Sequence, residues 1–165
     1  MELEASTEAS LRAKELLSYF RQGQLPLVHI QHMSTRPGAT FFLPDTDVVR
    51  IQENVRPVED EIIFQKHYPN SFRETPLLKY LRDEGITRLV ICGMMTHMCV
   101  DATTRAASDY GFECLIAQDA CATKSLTHRG QSVPATHVHL SFLAALNAAY
   151  GKVLNAEEII SQLRS

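Results

Sequence analysis

Short apolar runs alternate with stretches of helical spacing along the whole of this chain, and that alternation confines it to one class of fold. Strand-like runs fall at residues 26–31, 61–65, 88–92, 112–117 and 152–154. Helical spacing or helix-end signals fall at residues 8–22, from Thr75-Pro76 to Gly85, from Cys99 to Gly111, at residues 136–150, and after Asn155. Leu11, Leu16, Leu17 and Phe20 form one apolar stripe on the first helix. Asn155 with Glu158 three residues on has the spacing of a capping box. Strands this short and apolar, set between helices, are buried on both faces. The expected fold is therefore α/β, a central parallel sheet with helices on either side. In such sheets ligands bind at the carboxyl ends of the strands.

At 165 residues and 45% hydrophobic content, the chain is expected to form a single domain, residues 1–165. A net charge of −3 without any Lys/Arg cluster gives no field for nucleic acid. No apolar stretch is long enough to cross a bilayer, and Met1-Glu2-Leu3-Glu4 is too acidic for a signal peptide. The four cysteines (Cys92, Cys99, Cys114 and Cys121) show no CxxC pairing, the usage expected of a reducing, cytoplasmic setting. Residues 33–60 form a long loop punctuated by Pro37-Gly38, Pro44-Asp45 and Pro57. A loop of that length in a small domain is usually functional, though a solvated excursion is the plainer alternative.

Chemistry concentrates at two strand ends. The run Leu89-Val90-Ile91-Cys92 breaks at Gly93, and Met94-Met95-Thr96-His97-Met98 leads into Cys99 at the first turn of a helix. The exposed N–H groups and dipole of a helix start favour thiolate over thiol, and the same amides suit an oxyanion. The plain reading is a buried cysteine at a strand–helix junction; the position favours a nucleophile. Lys66 follows strand 61–65 and so belongs to the same rim. There it would lower a thiol pKa, orient a carboxylate or steady developing negative charge, although most lysines are solvated surface residues. The turn Lys66-His67-Tyr68-Pro69-Asn70-Ser71-Phe72 has the composition of a small pocket wall.

The segments Ile63-Phe64-Gln65-Lys66, Phe72, Thr75 and Leu77, followed by Val90-Ile91-Cys92-Gly93-Met94-Met95-Thr96-His97-Met98-Cys99-Val100, resemble the isochorismatase-like cysteine hydrolases. This group includes nicotinamidases, carbamoylsarcosine-type amidases and siderophore isochorismatases. The resemblance spans essentially the whole chain. It implies a three-layer Rossmann-like fold of strand order 3-2-1-4-5-6, and a triad of nucleophile Cys99, orienting cation Lys66 and an aspartate base. It further implies a cis Met94–Met95 peptide and an oxyanion hole built from the Met95 and Cys99 amides. Tyr68 and Phe72 would line the pocket, with His97 and Met98 near it. A homo-oligomer, dimer or tetramer, is implied in the same way.

The chain departs from that pattern in its acids. The family's aspartate ends a first strand that has no counterpart here, and Glu2, Glu4 and Glu8 do not follow an apolar run. Since that strand would lie mid-sheet, the expectation is that it belongs to the native protein or is replaced by another segment. Direct pairing of strands 26–31 and 88–92 would refute this. The metal-binding Asp-x-His of nicotinamidases is also absent: His29 and His32 point to opposite faces of a strand, and His137 and His139 diverge on a helix. No metal and no cofactor are expected, and nicotinamide is disfavoured as substrate. The expected activity is hydrolysis of the C–N bond of a small amide through a Cys99 thioester. The alternatives are a vinyl ether hydrolase, for which the thiol is dispensable, and an inactive truncated form or pseudoenzyme without its base.

Overall fold

The computed structural model describes residues 3, 5–35, 38, 42–43, 46 and 49–164. The elements run in the order α1 (Ser6–Gln22), β1 (Val28–His32), β2 (Ile62–Lys66), α2 (Leu77–Asp83), β3 (Arg88–Met94), α3 (Asp101–Asp109), β4 (Glu113–Ala122), β5 (Leu126–His128), β6 (Gln131–Val133), α4 (Ala135–Ala149), β7 (Lys152–Leu154) and α5 (Ala156–Arg164). A π-helical turn, Thr96–Val100, joins β3 to α3, and a 3₁₀ turn covers Glu53–Val55 in the long loop.

The fold is the expected three-layer α/β/α arrangement with parallel strands. Alternation along β4 shows why. Leu115 and Ala117 face Leu16 of α1 and Ile159 of α5, while Cys114 and Ile116 face Leu77 and Leu81 of α2, Val100, Ala107 of α3 and Leu143 of α4. Successive residues of one strand thus serve two cores, which is why these strands read as continuous apolar runs.

The parallel strands form two sheets. β1 pairs with β2, and β3, β4 and β7 pair in that order. Val28, Ile30 and Phe64 pack against the same apolar cluster as Leu89 and Ile91, so the two sheets share one core. β1 and β3 are not paired with each other, and no strand lies between them among the described residues. The sheets correspond to the 3-2 and 4-5-6 portions of the order implied by the resemblance.

Boundaries moved where local signals competed. β4 continues past Asp119 to Ala122 instead of ending there. Asp119 is occupied elsewhere: its Oδ1 accepts the Ala156 N–H at 2.8 Å and caps α5. Glu158 Oε2 accepts the Asn155 N–H at 2.7 Å, the expected reciprocal half of a capping box. α2 begins at Leu77, one residue later than expected; Pro76 is its N-cap, and Thr75 Oγ1 accepts the Leu77 N–H at 3.3 Å. The antiparallel hairpin β5–β6 had no signal strong enough to announce it, being three residues on each arm with only Leu126 and Val133 apolar.

Candidate active site

Lys66 and Cys99 both lie at carboxyl ends of strands, as the topology requires. Lys66 is the last residue of β2 and only 3% exposed. Its Nζ donates to the carbonyl oxygens of Tyr68 at 2.9 Å and Pro69 at 2.8 Å. Among the described residues it makes no ion pair. A buried ammonium held by two neutral acceptors is an incompletely compensated charge.

Cys99 lies in the π-helical turn and is partly accessible. The turn starts at Met95, whose carbonyl accepts the Met98 and Val100 N–H groups at 3.1 and 3.3 Å. The Met94–Met95 peptide is cis, as the resemblance implied. Gly93 has φ +129°, a backbone state that side-chain-bearing residues rarely adopt, and it sets the sharp exit from β3. The other cysteines differ in character. Burial pushes the Cys114 thiol up to about 11 and raises that of Cys121 as well, whereas Cys92 is exposed.

One hydroxyl ties the two strand ends together. Thr103 of α3 lies four residues after Cys99; its Oγ1 donates to the Pro69 carbonyl at 3.4 Å, the same oxygen that accepts from Lys66. It also accepts the Ser71 N–H at 3.1 Å and lies 2.9 Å from Ser71 Oγ. The helix that follows Cys99 and the turn that follows Lys66 therefore share a single carbonyl. Neither Ser71 nor Thr103 was singled out from the sequence. Their signal was faint, two small polar residues 32 positions apart.

The four expected pocket residues fall in different places. Tyr68 is partly exposed, with the Arg73 guanidinium 3.6 Å above its ring. Met98 is exposed on the turn. His97 Nδ1 meets Thr123 Oγ1, its ring lies edge-on to Phe142 at 6.0 Å, and burial with Lys124 nearby holds its pKa below the usual value. Phe72 is turned into the core instead of the rim, stacked on Phe112 and edge-on to Tyr110 at centroid distances of 6.2 and 5.2 Å. It lies in a loop without periodicity, and the apolar wall between α2 and α3 captured it.

Of the acids considered near the start, Glu2 and Glu4 lie outside the described residues; Glu8 belongs to the first turn of α1. No group of three metal-ligating side chains forms among the described residues. No helix there is long and apolar enough to cross a membrane.

The chain has counterparts among known proteins. The Isochorismatase domain matches residues 1–157. The isochorismatase family protein YddQ of Bacillus subtilis is 46% identical over 160 residues, covering 97% of this chain and 89% of its own. A crystal structure from Oleispira antarctica, assigned to the isochorismatase hydrolases, superposes with a TM-score of 0.91 at 48% identity, over 97% of this chain and 84% of that one. A maleamate amidohydrolase of Pseudomonas putida is 26% identical over 112 residues, 68% of this chain and 48% of its own. On the domain match over residues 1–157 and the 46% identity to YddQ, the chain belongs to the isochorismatase family of hydrolases.

Proposed function

We propose that this chain is a cysteine amidohydrolase acting on a small amide. The observation that carries the reading is the shared Pro69 carbonyl, which couples the Lys66 ammonium to Thr103 of the helix that follows Cys99. A relative named as an amidohydrolase supports the choice of bond.

In this mechanism a carboxylate takes the Cys99 proton, and the thiolate attacks the amide carbonyl, forming a C–S bond. The Met95 and Cys99 amides receive the oxyanion. The proton returns to nitrogen as the C–N bond breaks, releasing ammonia or an amine and leaving a thioester. Water then gives its proton to the same base and attacks; the C–S bond breaks and a carboxylic acid departs. Lys66 orients the base and steadies the developing charge. A strand seated between β1 and β3 is the position proposed for that carboxylate, where it would also complete the charge of Lys66. Tyr68, His97 and Met98 border the substrate. The protein works in a reducing cytoplasm, a setting supported by four free cysteines. It assembles as a homo-oligomer through exposed apolar residues such as Leu140 of α4, 67% exposed.

The test is ammonia release from a panel of small amides by the protein and by Cys99→Ala, with iodoacetamide labelling read at Cys99 and Cys92. Turnover lost in the variant, with Cys99 labelled well ahead of Cys92, is the expected result. A vinyl ether hydrolase would keep turning over its own substrate after alkylation. No ammonia from any amide, together with Cys99 labelling no faster than a free thiol, would leave the non-catalytic reading as the better one.

A further inference from the structure

Two residues between Met95 and Cys99 are fastened to α4 and to the segment at the end of β4. Thr96 is fully buried, with its Oγ1 2.9 Å from Nδ1 of His139 on α4 and 3.3 Å from the Ala122 carbonyl at the end of β4. His97, the next residue, reaches Thr123 of the following segment and Phe142 of α4. No side-chain cap stabilises the start of the π-helical turn. Its shape therefore depends on the Met95 carbonyl bonds and on these lateral ties. A buried hydroxyl is costly to leave without its partner, so the Thr96–His139 pair disfavours other placements of the turn. His139 has no part in the chemistry proposed above. Burial holds its imidazole below the usual pKa, against a hydrogen bond to the Gln118 backbone that raises it.

We propose that Thr96 and His139 are positioning residues for the Cys99 reaction: their hydroxyl–imidazole bond clamps the turn to α4 and so aims the Met95 and Cys99 N–H groups at the oxygen that becomes the oxyanion. The proposal rests on the amidohydrolase reading for its catalytic consequence, while its structural core, the clamp on those two amides, stands apart from it. A misdirected oxyanion donor affects the transition state more than substrate binding.

The experiment compares Thr96→Val and His139→Ala, which break the clamp, with Thr96→Ser and His139→Asn, which keep a hydroxyl and an acceptor near the original positions. Amide hydrogen exchange at Met95 and Cys99 is read by NMR in all four, alongside kcat and KM on the best amide and the rate of Cys99 alkylation. The clamp-breaking variants are expected to speed exchange at both amides by about 10-fold or more and to lower kcat by about 10- to 100-fold, with KM and alkylation within about 3-fold. The conservative pair is expected to recover most of each effect. Unchanged exchange in Thr96→Val and His139→Ala, or equal damage in all four variants, overturns the clamp. Exchange that rises while kcat holds overturns its catalytic role. A wild-type protein without amide turnover sinks the amidohydrolase reading alone, since the exchange arm still decides the clamp.

Discussion

A lysine ammonium at 3% exposure whose partners among the described residues are two carbonyls is costly to keep, and that cost points to use. Lys66→Met separates function from stability. The substitution removes a buried charge but leaves the Tyr68 and Pro69 carbonyls without their donor, and these effects oppose one another. Thermal unfolding is expected to shift by no more than the equivalent of about 2 kcal/mol, while amide turnover falls by about 100-fold or more. A variant as active as the parent would remove Lys66 from the chemistry. His137 and His139 show the same logic from the other side. They diverge on α4 as their spacing requires; His137 is left exposed and His139 is turned in toward Thr96.

At the level of elements, α1 is fastened to the first sheet by a charged cluster far from the rim. Glu61 accepts from Arg21 Nε and Nη2 at 2.7 and 2.8 Å, lies 2.8 Å from His29 Nε2, and accepts the Val58 N–H at 2.9 Å. The Arg21 hydrogen bond, helped by Val58 and His29 and opposed by burial, brings its pKa from 4.5 down to about 2. The folded carboxylate thus binds its proton more weakly than the unfolded one. Its stabilisation is fully present above about pH 4.5 and is lost as pH falls toward 2. Glu61→Gln is expected to cost about 1–3 kcal/mol at neutral pH, a figure reduced for the partial exposure of Arg21. Urea unfolding of the variant should also lose most of this acid dependence. An unchanged acid limb in Glu61→Gln would show that other carboxylates govern it.

For the molecule as a whole, the divided sheet is the dominant feature. β4 is bonded on both sides, to β3 and β7, whereas β1 and β3 each have a strand partner on one side only among the described residues. Among the described residues the two halves share an apolar cluster and are joined by no strand pairing. Hydrogen exchange followed by NMR should therefore find Leu115, Ile116 and Ala117 the most protected. Alternate amides of Val28–Gln31 and of Leu89–Ile91, those directed away from β2 and β4, should exchange at least about tenfold faster. Equal protection on both edges would mean that another segment covers them in solution.

The sequence by itself determined the class of fold, the order of its elements and the two strand ends where the chemistry gathers. Those properties are local: a residue's place in a period of 2 or 3.6 dictates which side of its own element is buried. The run at residues 88–92 with its glycine break points to Cys99, and the run at 61–65 points to Lys66. Only the tertiary structure decided that Phe72 joins the core, that Asp119 caps α5, that Thr103 and Lys66 share the Pro69 carbonyl, and that Thr96 meets His139 across 43 residues. Loop residues have no period to aim them. Hydrogen bonds between distant elements are set by how whole helices and strands settle on one another, and no short window of sequence contains that geometry.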